Sequence, residues 1–571
     1  MNPGNFCILA HNVANMELMV KALLEKYPNF LPGHIEAARC ALTTRNIENL
    51  NERLQNGNLV TNHCFLLHII ELVKIVVVHG DLSDINSILN DINDTVASSE
   101  NDNTHFQLYL AQLLSRCGFE HQNILQFARK LLDRALAIER RSMFLVEKSK
   151  LLLLDGDHKQ AKTMAMTALE IDHDPSDDVL LAHSREKCWF YIVLGCQMLL
   201  GRRKTHRSGR AGPVRPVSKH RNPEVDGDGL ILPDSLQYFH FYQALIDRAQ
   251  SKSADVVLTG IRNASDILLS TVQSIPFGLE YLHSFNPAFV NEMVTVLFDY
   301  APLVPTKIPT IALRDIIRLL TTIHDTCPGL TRLTYLLAKA KYLLEEVDES
   351  QRLLIKCTER SPSVAEAYLL LAQIALKKDQ LEKADKYLDE GLSNNFQVRE
   401  HPLFHVTKAR LMKQSNQLEP ALAQLNMARQ LAVMKENSKQ ERKKRDRFES
   451  TESDKIAVYL EAIDCLQRLR KYTEADNLMK EAMARWQGTP EEHQLVMLNV
   501  EIRLQKGSVD DALKILQNVQ PHDPNYQEAR IRMAKVYLED KKDKRQFAIC
   551  YRCRIKQIFW CYIVLQANSG P

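Results

Sequence analysis

Two consecutive stretches of this chain match when one is shifted by 34 positions (371−337). Leu337 falls on Leu371, Ala338 on Ala372, Ser350 on Ala384, Leu354 on Leu388 and Cys357 on Gly391. A fixed period of this length marks units that cannot bury their apolar face alone, so neighbours must stack. Within the stretch from Val364 to Phe396, Leu371 and Ala372 mark one apolar face, and Ala384 and Leu388 mark another. The polar "KKDQ" between them separates two helices. Small residues let the two backbones approach, and large apolar neighbours fill the flanking grooves. The expected fold class is all-α: an α-solenoid superhelix of helix pairs, interrupted by a disordered basic linker.

Thirty-four residues is the period of the tetratricopeptide repeat, a helix–turn–helix unit. A residue that tolerates the left-handed conformation stands five positions before a small one at Gly156 and Ala161, Asp379 and Ala384, Asn416 and Ala421, and Gly507 and Ala512. Such a residue ends one helix, and the small residue seats the next. Arg470 before Ala475 keeps the spacing without the turn chemistry. The structural repeat positions are therefore Ala161, Ala338, Ser350, Ala372, Ala384, Ala421, Ala475 and Ala512. Each repeat is expected to touch mainly its neighbours.

A chain of 571 residues is too long for one compact core and suits several domains or an elongated array. The expected organisation is degenerate helical repeats over 1–200, a basic Gly/Pro linker over 201–231, weakly repetitive helices over 232–327, and tetratricopeptide repeats over 328–434. A charged loop over 435–454, further repeats over 455–552 and an apolar tail over 553–571 follow. Pro276, Pro287, Pro302, Pro305 and Pro309 each read as a helix start or break. The linker holds eight Arg or Lys between Gly201 and Arg221 and no acid. A disordered linker or read-in non-coding sequence is favoured there over a basic arm for an acidic partner. In the tail, Ile558 to Leu565 is an unbroken apolar run, expected to expose a sticky patch and not to cap the array.

With 73 basic and 70 acidic residues the net charge is +3, which argues against a dedicated nucleic-acid or membrane-surface binder. Twelve scattered cysteines read as reduced thiols of a cytosolic protein. The apolar "FLLHIIELVKIVVVHG" carries Glu71 and Lys74 in mid-run and does not read as a membrane span. No phosphate-binding glycine loop is present, so no nucleotide cofactor is expected. His401 and His405 stand four apart, but Pro402 between them disfavours a helix and the acid of a zinc motif is missing, so no metal is expected. Cys550 and Cys553 have metal-ligand spacing but no second pair, and read as packing thiols. A carboxylate-clamp co-chaperone needs Lys and Asn where this chain has Tyr335 and Lys339 in one repeat and Leu369 and Gln373 in the next.

The less repetitive segments are more specific. "SIPFGLEYLHSFNPAFVNEMV" (Ser274–Val294), "HPLFHVTKARLMK" (His401–Lys413), "ALKILQNVQP" (Ala512–Pro521) and "EARIRMAKVYLEDKKDK" (Glu528–Lys544) resemble the tetratricopeptide repeat domain 21 family. The resemblance covers about Asn12 to Leu200 and Leu232 to Arg552. It implies a large, non-catalytic repeat subunit of intraflagellar transport complex A, found in the cytoplasm, the cilium and the ciliary base. Such a subunit acts in retrograde transport, with the other subunits of that complex as its partners. Family members are longer, so the chain reads as an internal portion. The alternative is a cytosolic repeat adaptor or co-chaperone without a ciliary role.

Overall fold

The computed structural model describes residues 13–60, 65–80, 84–155, 157–171, 233–250, 253–302, 305–307, 309–437, 452–487, 492–519 and 526–550. These residues form helices joined by short turns, and no strand occurs among them. The fold is an α-solenoid of helix pairs. The expected basic linker, Gly156, Cys553 and the apolar tail lie outside the described residues. The expected charged loop is shorter at both ends, because the Leu418–Asn437 helix continues past 435 and the next begins at Glu452.

The five-residue spacing follows from how one helix hands over to the next. Glu345, Asp379, Asn416, Arg470 and Gly507 all have positive φ, between 55° and 77°. Each closes its helix with two backbone bonds. At Asp379 its own N–H donates to Leu376 O and the following Gln380 N–H donates to Ala375 O, at 3.1 and 2.9 Å. This paired closure satisfies carbonyls that a helix end leaves open. The residue after the turn then accepts the first bond of the next helix from the residue four further on. Ser350, Ala384, Ala421, Ala475 and Ala512 donate to Glu346, Gln380, Gln417, Lys471 and Ser508 respectively. One left-handed residue, one cap and one helical turn add up to the spacing. Arg470 and Glu345 adopt this geometry although neither is a Gly, Asn or Asp.

Two serines measure how close the paired helices come. Ser350 Oγ donates to Ala338 O at 2.7 Å, and Ser149 Oγ donates to Ala161 O at 2.8 Å, each across 12 residues. In one pair the serine is on the second helix and in the other it is on the first. A hydroxyl reaching the facing backbone leaves no room for a larger side chain at that register.

The described residues fall into two compact units, one up to Leu371 and one from Ala372 onward. In the second unit the helix pairs follow each other along the chain. Its main core joins Val406, Ala421, Leu425, Ile456, Ile463, Leu478 and Trp486, and the next joins Val500, Leu516, Met533 and Val536. A 3₁₀ turn, Phe396–Glu400, is inserted before the Pro402–Gln414 helix.

The first unit departs from contact between neighbours alone. Its early Thr104–Cys117 helix packs against the Leu279–Ser284 and Pro287–Phe298 helices, and Arg39 of the Leu31–Thr44 helix lies 3.9 Å from Glu280. The apolar run near residue 70 forms the Phe65–Val73 helix, then widens into a π-helix, Lys74–His79, that ends at Gly80 with φ 75°. Leu67, Ile69, Ile70, Leu72, Val73, Val76 and Val77 are fully buried there, so the run is core. Among the described residues no helix is long and apolar enough to cross a membrane.

Candidate functional site

The eight small repeat positions are all buried, with Ala475 the most exposed at 3 %. They lie inside the helix pairs and offer nothing to a partner. The outward polar side chains carry what a partner could read, and many of these are engaged between helices. Arg332 and Glu366, one period of 34 apart, form a 2.7 Å ion pair, and the Arg332 guanidinium stands 5.5 Å from the Tyr335 ring centre. Lys339 lies 4.9 Å from the centre of the Phe298 ring. Leu369 is buried. The clamp positions of the first unit therefore face other side chains, and they carry the wrong residue types for gripping a carboxylate.

The second unit repeats this pattern with a denser network. Arg410 and Lys413 on one helix meet Glu461 on the helix two further along, at 2.6 and 2.5 Å, and Lys413 also meets Asp464. Arg468 closes the network on Asp464 at 3.2 Å. Burial pulls the Lys413 ammonium down, but the Glu461 and Asp464 carboxylates outweigh it and the pKa rises, so Lys413 stays charged. On the other helix row, Glu481 accepts from Arg429 at 3.1 Å and from Tyr459 Oη at 2.9 Å. Tyr459 packs edge-on to Trp486 at 5.0 Å. A face with paired charges suits recognition by shape and polar complementarity. It does not suit capture of a polyanion, which needs unopposed cations.

The histidine pair is structural, and the expectation about Pro402 needs correction. The helix begins at Pro402 itself, where a missing N–H costs nothing at the first position. His401 is its cap, with Nδ1 accepting from Leu403 N–H at 3.2 Å. His405 is buried, with Nε2 donating to Arg399 O at 2.8 Å and Nδ1 against Gln424 Nε2 at 2.6 Å. Both rings hold the inserted 3₁₀ turn and its helix together. Among the described residues no group of three or more His, Cys, Asp or Glu could hold a metal ion. Burial pushes the Cys117, Cys327 and Cys357 thiols up to about 12, far from the thiolate that reacts at neutral pH. Cys550 is buried.

One site in the first unit went unread in the sequence: the turn "DTCPGLTR", Asp325–Arg332, between the Ile311–Thr326 and Thr331–Leu343 helices. Four chain-distant groups converge on it. Arg45 donates to Asp325 O while its guanidinium sits 5.3 Å from the centre of the Phe277 ring. Gly329 N–H donates to Val77 O at 2.8 Å. The Glu120 carboxylate accepts from Thr331 Oγ1 at 3.0 Å and from Arg332 N–H at 3.1 Å, capping that helix across 211 residues. Arg360 donates to Pro328 O. In the same unit, the His283 ring packs at a tilt against Tyr109 at 4.4 Å and accepts from Arg116 at 3.5 Å. Burial and the Arg116 charge bring its pKa down to about 4.

The helix pairs of both units correspond to known sequence families. The profile for the "Tetratricopeptide repeat protein 21 second ARM domain" matches residues 87–186 and 233–379. The profile for the "Tetratricopeptide repeat protein 21 ARM repeat" matches residues 396–554, and the two together take in more than half of the chain. The chain belongs to the tetratricopeptide repeat protein 21 family. It is 30% identical over 549 residues to the Tetratricopeptide repeat protein 21 homolog of Caenorhabditis elegans, and 27% identical over 539 residues to Tetratricopeptide repeat protein 21B of Homo sapiens. These alignments take in 96% and 93% of this chain and 39% of each relative, so the chain spans well under half the length of the family members it matches. Among solved structures, yeast Tom70 aligns at 13% identity and a TM-score of 0.30, over 88% of this chain and 99% of its own. A tetratricopeptide repeat protein from Parabacteroides merdae aligns at 12% and 0.34, over 55% and 98%. At such scores no residue of theirs can be placed on this chain. The family break between residues 186 and 233 brackets the basic stretch from Gly201 to Gly229.

Proposed function

We propose that the chain is a non-catalytic scaffold of intraflagellar transport complex A, acting in retrograde ciliary transport and in bringing proteins into cilia. The observation that carries this reading is the family match, which extends over helices of both units. The described side chains support it. The repeat positions are consumed in holding helices together, and the polar faces present mixed, paired charges of the kind protein partners recognise. The proposed partners are other subunits of that complex, not nucleic acid and not the membrane interior. The proposed location is the cytoplasm, the cilium and its base.

The competing reading, a cytosolic adaptor or co-chaperone, is disfavoured by Tyr335, Lys339, Leu369 and Gln373 at the clamp positions. A tagged chain purified from ciliated cells, with and without residues 201–229, tests the two. Enrichment of complex A subunits supports the scaffold reading. Recovery of chaperones through their C-terminal carboxylates, without those subunits, overturns it.

A further inference from the structure

At one point the early helices of the first unit meet its later ones backbone to backbone, where side chains would ordinarily do the packing. At Gly80 an added Cβ would stand 2.8 Å from Gly329 O. At Gly329 it would stand 2.6 Å from Val76 O and 2.7 Å from Val77 O. Both positions therefore need glycine for the close approach, and Gly80 needs it for its φ of 75° as well. The π-helix explains why a carbonyl is available there. It stops at Gly80, whose N–H returns to Ile75 O, so the last carbonyls have no following turn to bond. Gly329 N–H takes the one on Val77.

The other contacts make the junction hard to leave one at a time. The Glu120 carboxylate sits where a helix N-terminus favours negative charge, and it satisfies an N–H that has no partner within its own helix. Arg45 and Arg360 occupy the carbonyls of Asp325 and Pro328. Tyr281 and Thr326 share a hydroxyl bond at 2.9 Å on the same turn. Withdrawing either side leaves the Gly329 N–H and the Val77 carbonyl, both on buried residues, without their partner, which is costly.

We propose that the Asp325–Arg332 turn is a clasp that closes the first unit, so that helices more than 200 residues apart open together. In a plain repeat array, stability is a sum of neighbour terms, and a local defect stays local. Here the clasp couples Leu31–Thr44, Lys74–His79 and the Thr104–Cys117 helix to the Thr331–Leu343 helix. The protein therefore has a conformational step that a linear stack lacks: release of its early helices as one body.

Amide hydrogen exchange on the full chain tests this, because it reports opening segment by segment. Gly329→Val cannot keep the backbone contact, and Glu120→Gln keeps the shape while removing the charge that caps the helix. The expected result for Gly329→Val is exchange at least tenfold faster over residues 37–42, 67–79 and 108–117 as well as 333–343. Residues 456–482 of the second unit should be unchanged. Glu120→Gln should give the same pattern at a few-fold. If Gly329→Val does not fold, Glu120→Gln and Arg45→Ala decide the matter alone. Acceleration confined to residues 311–360, or none in any variant, overturns the clasp.

Discussion

Ala384→Leu probes the helix-pair seam where its dimensions are best constrained. Ala384 and Ala372 are both fully buried and 12 positions apart, the same offset at which Ser350 and Ser149 reach the facing backbone at 2.7 and 2.8 Å. At this register the space beyond Cβ holds one oxygen in contact with a carbonyl. Leucine places three carbons there, and Ala375, Leu376, Leu381 and Tyr387 pack around the position. Overpacking of this kind costs roughly 1–3 kcal/mol, which should raise the opening equilibrium of the Leu381–Asn394 helix roughly 5- to 150-fold. Two controls separate volume from chemistry. Ala384→Ser supplies the hydroxyl already seen at Ser350 and should be close to neutral. Lys383→Leu, at an exposed neighbour, should stay within about 0.5 kcal/mol. Urea denaturation with segment-resolved hydrogen exchange reads all three. Ala384→Leu matching Ala384→Ser would refute the seam geometry, because it would mean that the register has spare volume.

The left-handed turns should respond to glycine with opposite signs. Gly507 has φ 77° with nothing within 4 Å of an added Cβ, so Gly507→Ala should cost about 1 kcal/mol from backbone strain alone. Arg470→Gly, at φ 60°, should gain up to about 1 kcal/mol. Urea midpoints check both, and like signs would contradict the turn assignment. His283 should make the first unit acid-sensitive. Its folded pKa of about 4 lies below the ordinary 6.5, so unfolding takes up a proton between those values. The stability conferred by the neutral ring is complete above pH 6.5 and is lost as pH falls toward 4. Melting temperatures at pH 7 and pH 5 should differ less in His283→Leu than in the unchanged chain, and an equal difference in both would remove His283 from the account.

The repeat grammar was legible in the sequence because it is local. The spacing of five is one left-handed residue, one cap and one helical turn, all within hydrogen-bond reach along the chain, and it located the turns at Asp379, Asn416 and Gly507. The small positions showed through because helix pairs need them at a fixed offset, whatever else surrounds them. Arg470 marks the limit of composition as a guide: its spacing specified the turn, and the paired helices hold it left-handed against its own preference. Pro402 marks another, since the same residue breaks a helix or begins one according to where the helix starts. The clasp had no such signature. Nothing in the residues around Gly80 or Glu120 points to the turn at Gly329, and the fold brings them onto it from 211 and more residues away. A contact of that kind depends on how every intervening helix pair packs and turns the chain. Sequence alone determined which residues pair within each repeat, and only the tertiary structure decided which distant repeats meet.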